Sequence, residues 1–100
     1  MVEIKWTDFA LNDLDEIGNY IALDSPRYAS ITVSELFNAP TILKKSSQVG
    51  RVVPEIGKEE FRELIKGNYH IVYKIISTTR IDILTVHHSK RLLSNHLFFE

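Results

Sequence analysis

The chain has 100 residues, 44% apolar and 25% charged, which fits one domain over 1–100, long enough for a single core but near the size where stability is marginal. It has no cysteine, which excludes disulfides and thiolate metal sites. It also has no apolar run of about 18 residues to form a membrane-spanning helix. Its net charge of −1 lacks the basic excess by which nucleic-acid binders neutralise phosphate.

Met1 to Trp6 lacks the basic-then-apolar pattern of a secretory signal, so a cytoplasmic location is expected. Val2 to Lys5 reads as a first strand, ended by Trp6. Thr7 is a helix N-cap with Asp8 in the first turn, and Ala10, Leu14, Ile17 and Ile21 recur at helical spacing on one face. Ser25-Pro26 starts a second helix with a capping hydroxyl and a proline whose missing N–H costs nothing there. Ala29, Val33, Leu36, Pro40 and Leu43 share its apolar face, and Pro40 is expected to kink or split it near Asn38. The short link Leu23-Asp24-Ser25 makes the pair a helical hairpin.

The period then changes. Arg51-Val52-Val53 suits a short edge strand closed by Pro54. Phe61–Lys66 and Tyr69–Ile76 are β-prone runs joined by Gly67-Asn68, a two-residue hairpin turn. Alternation puts Tyr69, Ile71, Tyr73 and Ile75 on one face and His70, Val72, Lys74 and Ile76 on the other. Ser77-Thr78-Thr79 turns into a last strand, Arg80 to His88, and Leu92 to Phe99 suits a terminal helical turn. The expected fold is α+β: an N-terminal helical hairpin packed on an antiparallel β-sheet, in two layers.

Charge is uneven along this fold. Residues 1–50 hold four Lys/Arg against seven Asp/Glu, a net of −3; residues 51–100 hold eight against six, a net of +2, with all four histidines. Any phosphate contact must therefore come from the second half, where Arg51, Arg62, Tyr69, His70, Tyr73, His88, Lys90 and Arg91 supply guanidinium groups for charge and imidazole or phenol for proton transfer. A purely structural account of the same residues pairs Arg62 with Glu59 or Glu60, packs Tyr69 and Tyr73 in the core, and uses His87 or His88 to cap a strand end. No metal site is expected: adjacent His87 and His88 point to opposite faces of a strand, and no helical histidine pair exists.

In order and spacing, the chain resembles the ParE/RelE superfamily of toxins from type II toxin–antitoxin systems over nearly its whole length. Trp6 to Ala10 with Asp13-Leu14, Ile17 and Tyr20-Ile21 is similar to the family's first helix. Val49-Gly50-Arg51 with Pro54-Glu55, Arg62-Glu63-Leu64, Tyr69-His70-Ile71-Val72-Tyr73, Ile81 to Leu84 and Val86 to Arg91 resemble its later segments. The sequence departs from the pattern at Ser47, where proline is usual, at His70, where arginine is common, at Pro40 inside the second helix, and at the additional His87. Histidine at 70 weakens a constant positive charge, because imidazole is mostly neutral at pH 7.

The resemblance implies a protein antitoxin as partner, no cofactor, and one of two targets. The ParE-like reading is a protein that binds and poisons DNA gyrase. The RelE-like reading is a metal-free ribonuclease acting on messenger RNA at the ribosome, with Arg51 and Arg62 as phosphate ligands, His88 as proton carrier, and Tyr73 or Arg91 in support. A third reading is a non-toxic relative that only binds a partner. The net charge and the Tyr69–Tyr73 and Val86–Arg91 segments favour the ParE-like reading, in which Arg51, Arg62 and Arg91 contact the target. A homodimer or a hetero-oligomer with antitoxin fits each reading. The apolar end Leu97-Phe98-Phe99 is the expected antitoxin contact. Deleting Leu97 through Glu100 should weaken antitoxin binding in a titration of the folded, shortened chain; unchanged affinity would move that contact elsewhere.

Overall fold

The computed structural model describes residues 2–89. The tail expected to form a helical turn, Leu92 to Phe99, lies outside the described residues. Strand β1 is Glu3–Trp6, followed by helices α1, Asp8–Ala22, and α2, Pro26–Asn38. Both helices begin as their sequences require: Ala10 N–H donates to Thr7 Oγ1 at 3.1 Å, and Tyr28 N–H to Ser25 Oγ at 3.1 Å. Pro40 splits the second helix as expected. The α-helix stops at Asn38, and a 3-10 helix, Ala39–Lys44, continues the apolar face with Pro40 and Leu43 buried.

Strands β2 (Arg51–Val52), β3 (Phe61–Lys66), β4 (Tyr69–Ser77) and β5 (Arg80–His88) form an antiparallel meander. Gly67, at φ 59°, opens the β3–β4 turn where a tight hairpin needs a positive φ. The sheet differs from an all-antiparallel one in a single pairing. Its order is β1-β5-β4-β3-β2, and β1 lies parallel to β5, from Glu3 beside Arg80 to Trp6 beside Ile83. The domain is thus two helices on a five-stranded mixed sheet.

The helices cover one face of the sheet. Ala10, Leu14, Leu36 and Leu43 meet Ile71, Tyr73, Ile81, Ile83 and Val86 there, all buried. Each such fully buried large side chain contributes about 1.5–3 kcal/mol relative to exposure. Trp6 stacks on Phe37 with centroids 5.2 Å apart, closing the core where β1 meets the end of α2. On the outer face Val53 and Val72 are buried with Ile56 and Leu84 against them, so the segment after β2 folds over part of that face.

Beyond Ile83, β5 has no partner strand on its β1 side among the described residues, and α1 takes over that edge. Thr7 Oγ1 donates to the carbonyls of Ile83 (2.7 Å) and Leu84 (3.3 Å), and Thr7 N–H also reaches Ile83 O. The buried carboxylate of Asp13 accepts from Val86 N–H at 3.0 Å and from Thr85 Oγ1. A β-bulge accompanies the change: Val72 faces Thr85 and Tyr73 faces Ile83, leaving Leu84 as the extra residue. Asp13→Ala leaves two buried donors without their acceptor and should cost about 2–3 kcal/mol in urea denaturation. Asp13→Asn, which keeps one acceptor oxygen, should lose less.

Candidate functional site

The candidate residues fall into three places on the sheet. The first is a clamp around the segment before β2. Tyr73, central in β4, is fully buried and sends its hydroxyl out of the core to that segment. Tyr73 Oη donates to Ser47 O at 2.8 Å and accepts from Gly50 N–H at 3.1 Å. Its register partner on β3 is Arg62, whose Nε donates to Glu59 O at 2.9 Å and whose Nη1 donates to Gln48 O at 3.2 Å and Gly50 O at 2.9 Å. A guanidinium suits this work because it carries five donors in a fixed plane. Gly50 must lack a side chain: a Cβ there would lie 2.6 Å from both Glu63 O and Tyr73 Oη.

This geometry bears on two proposed roles. Arg62 holds three backbone carbonyls, with Glu59 engaged through its main chain. Burial pushes the Tyr73 phenol above its ordinary value of 10.0, partly opposed by the Gly50 hydrogen bond and by Arg62. It therefore stays protonated at neutral pH and is a poor general base.

The second place is a strip on the outer face that crosses four strands. Arg51 on β2 donates from Nε to Glu63 Oε2 on β3 at 2.6 Å, and His70 Nδ1 on β4 lies 2.9 Å from Glu63 Oε1. His70 in turn faces His87 on β5, with ring centroids 5.1 Å apart and planes at 34°. Glu63 and His87 are buried and His70 is partly exposed. Ligating atoms of Glu63, His70 and His87 all lie within 4.8 Å of one another, which makes these three the residues able to hold a metal among the described residues. Glu63 was not among the candidates read from the sequence. The sequence held no signal for it, because its proximity to Arg51 and His70 depends on strand register.

The third place is the end of β5 on the helix-covered face. His88 sits opposite Tyr69, with centroids 5.5 Å apart in a T-shaped arrangement. The two border a groove against α1, beside Ile17, Tyr20 and Val86. Arg62 lies level with Tyr73, four residues along and two strands across from His88, or about 13 Å by about 9.5 Å. Arg62 and His88 share a face but not a site. Lys90, Arg91, Leu97, Phe98 and Phe99 lie outside the described residues.

Comparison with known proteins agrees with the fold and with the residue pattern. The family model described as the ParE toxin of the type II toxin–antitoxin system parDE matches residues 4–93. Y4kP of Sinorhizobium fredii is 36% identical over 91 residues, covering 86% of each chain. Among solved structures, a chain of the chromosomal ParDE system from P. aeruginosa superposes with a TM-score of 0.72 at 24% identity, covering 88% of this chain and 96% of that one. A chain of the RelBE2 toxin–antitoxin complex from Mycobacterium tuberculosis gives 0.57 at 21% identity, covering 87% and 96%. Both structures share the arrangement of helices on a sheet.

The clamp predicts that Arg62→Ala lowers stability by about 1–2 kcal/mol, because partly exposed carbonyls lose a charged donor but can still reach water. Gly50→Ala should cost more, since its Cβ meets backbone that cannot move away cheaply. Thermal unfolding of both variants checks the order.

Proposed function

Because the chain belongs to the ParE toxin family of type II toxin–antitoxin systems, we propose that it arrests growth by binding and poisoning DNA gyrase, and that a protein antitoxin neutralises it. The observation that carries this reading is the separation of the groups a nuclease would need. Arg62 and His88, offered as phosphate ligand and proton carrier, lie too far apart to grip one phosphodiester, and Arg62 is committed to the carbonyls of Gln48, Gly50 and Glu59. General acid–base catalysis needs its groups within hydrogen-bond reach of the same reacting atoms. A binding toxin has no such requirement, and the net charge of −1 suits a protein target better than an RNA surface.

Exposed apolar side chains supply surface for protein partners. Tyr20, Leu23, Tyr28, Ile31 and Phe37 on the helical hairpin are all exposed, and aromatic side chains are enriched where proteins bind one another. The antitoxin is proposed to contact the chain's apolar end, Leu97-Phe98-Phe99, and Arg51 and Arg91 to contact the target. Gyrase and a newly made antitoxin would both meet the toxin in the cytoplasm. Among the described residues no helix is long and apolar enough to cross a membrane.

A second reading, a RelE-like ribonuclease acting on messenger RNA at the ribosome, is favoured by one observation. Arg51, Glu63, His70 and His87 do converge, on the outer face, and unite a guanidinium with groups able to move protons. The two readings separate in cells that make the chain without antitoxin, followed by thymidine and methionine incorporation in one culture. Early loss of thymidine incorporation, with inhibition of supercoiling by purified gyrase, is the expected result. Early loss of methionine incorporation with DNA synthesis intact would overturn it in favour of the nuclease.

A further inference from the structure

We propose that Glu63, His70 and His87 form a binding site for a borderline divalent transition-metal ion, with Zn²⁺ as the type case, that ties β3, β4 and β5 together on the outer face of the sheet. The inference is independent of the target the toxin acts on. Topology brings the three residues together. His70 and His87 are direct partners across β4 and β5, and Glu63 lies diagonally across β3, two residues from Ile65, the register partner of His70. Diagonal neighbours of this kind are within reach of long side chains.

The spacing suits coordination. Their ligating atoms lie within 4.8 Å of one another, and His70 Nδ1 and Glu63 Oε1 are 2.9 Å apart. Zinc bonds of about 2.0–2.1 Å at tetrahedral angles hold two ligand atoms roughly 3.3 Å apart. The three side chains need to shift by no more than about 1.5 Å to reach that spacing, and the ion would displace any proton on His70 Nδ1 to Nε2 or to solvent. Two imidazoles and one carboxylate select a borderline ion such as Zn²⁺, Co²⁺ or Ni²⁺ over Mg²⁺ or Ca²⁺, which prefer all-oxygen sites.

The surrounding groups fit as well. His87 Nδ1 lies 3.0 Å from His88 O, and a carbonyl can only accept, so Nδ1 carries a proton and, in the neutral ring, Nε2 is the nitrogen with the lone pair. A backbone carbonyl that fixes the second ring nitrogen is the usual support of a metal-bound histidine. Partly exposed His70 leaves the cluster open to solvent on its side, where an ion can enter. Arg51 stays on Glu63 Oε2, which leaves Oε1 as the ligating oxygen and places a positive charge beside the ion. That charge works against binding. Removing it is therefore a directional test that a chance site elsewhere on the chain would not answer.

The experiment titrates the full, tag-free chain, stripped with chelator, with ZnCl₂ in a calorimeter, and with CoCl₂ for the visible absorption of a tetrahedral site. One ion per chain is expected, with a higher Tm in its presence and no response to MgCl₂. His70→Gln, a change at a partly exposed position, should weaken binding at least about tenfold and abolish the cobalt spectrum. Arg51→Met should tighten it, and His88→Gln should keep the one-ion stoichiometry. His87→Gln carries a folding risk, so the test rests on His70 and Arg51. Absence of stoichiometric binding overturns the proposal, as does a His70→Gln variant that binds as tightly as the parent chain.

Discussion

A strand edge that runs out of partners organises this domain. β1 accompanies β5 only as far as Ile83, and the backbone groups beyond it would be buried without hydrogen bonds if nothing replaced the missing strand. Thr7 and Asp13 replace it from α1, one at the helix cap and one at its second turn. Buried peptide groups are costly when unpaired, so the helix is held at one height and one rotation over β5. The apolar stripe of α1 adds most of the docking energy, but apolar contact alone tolerates sliding and these directional bonds do not. The position of α2 and the groove beside His88 follow from that placement.

A similar use of polar groups holds the long connection into β2. Among the residues that carry the family resemblance, Gly50-Arg51, Arg62-Glu63 and Tyr73 form two neighbouring hydrogen-bonded groups, one on each face of the sheet. Arg62 and Tyr73 grip the backbone at Ser47, Gln48 and Gly50, and Arg51 pairs with Glu63. Their chemical types look catalytic in a list, yet their geometry serves the fold. A guanidinium with three of its five donors on backbone carbonyls has only the remainder for a phosphate and is held in place by the fold. This favours a toxin that works through its surface, and it leaves the outer strip, Arg51 to His87, as the polar cluster whose groups converge on one another.

Much of the architecture was legible because it depends on near neighbours in the chain. Thr7 and Ser25 cap helices through the amide three residues on, Pro40 ends one by lacking an N–H, and Gly67-Asn68 turns a hairpin through two residues. The alternation of β4 was readable for the same reason: it put Ile71 and Tyr73 on one face and Val72 on the other, and the structure makes the first of these the main core. The site was less legible. Residue type alone groups Arg62 with His88, since both suit phosphate chemistry, and composition contains no distances. Glu63 is silent in the sequence because a lone carboxylate in a strand carries no signal until its neighbours across the sheet are known.

The sequence by itself determined the family, the two capped helices, the interruption at Pro40 and the meander of β3 to β5, all of which rest on local periodicity, turn chemistry and residue order. Tertiary structure alone decided that β1 enters the sheet parallel to β5, that Leu84 bulges, that Asp13 answers Val86, and that Glu63 meets His70 and His87 while Arg62 and His88 stay apart. Those outcomes depend on strand register and on contacts such as the one from Asp13 to Val86, 73 residues apart. A single residue's shift in register would reverse which side chains share a face, and only the packed whole selects one register.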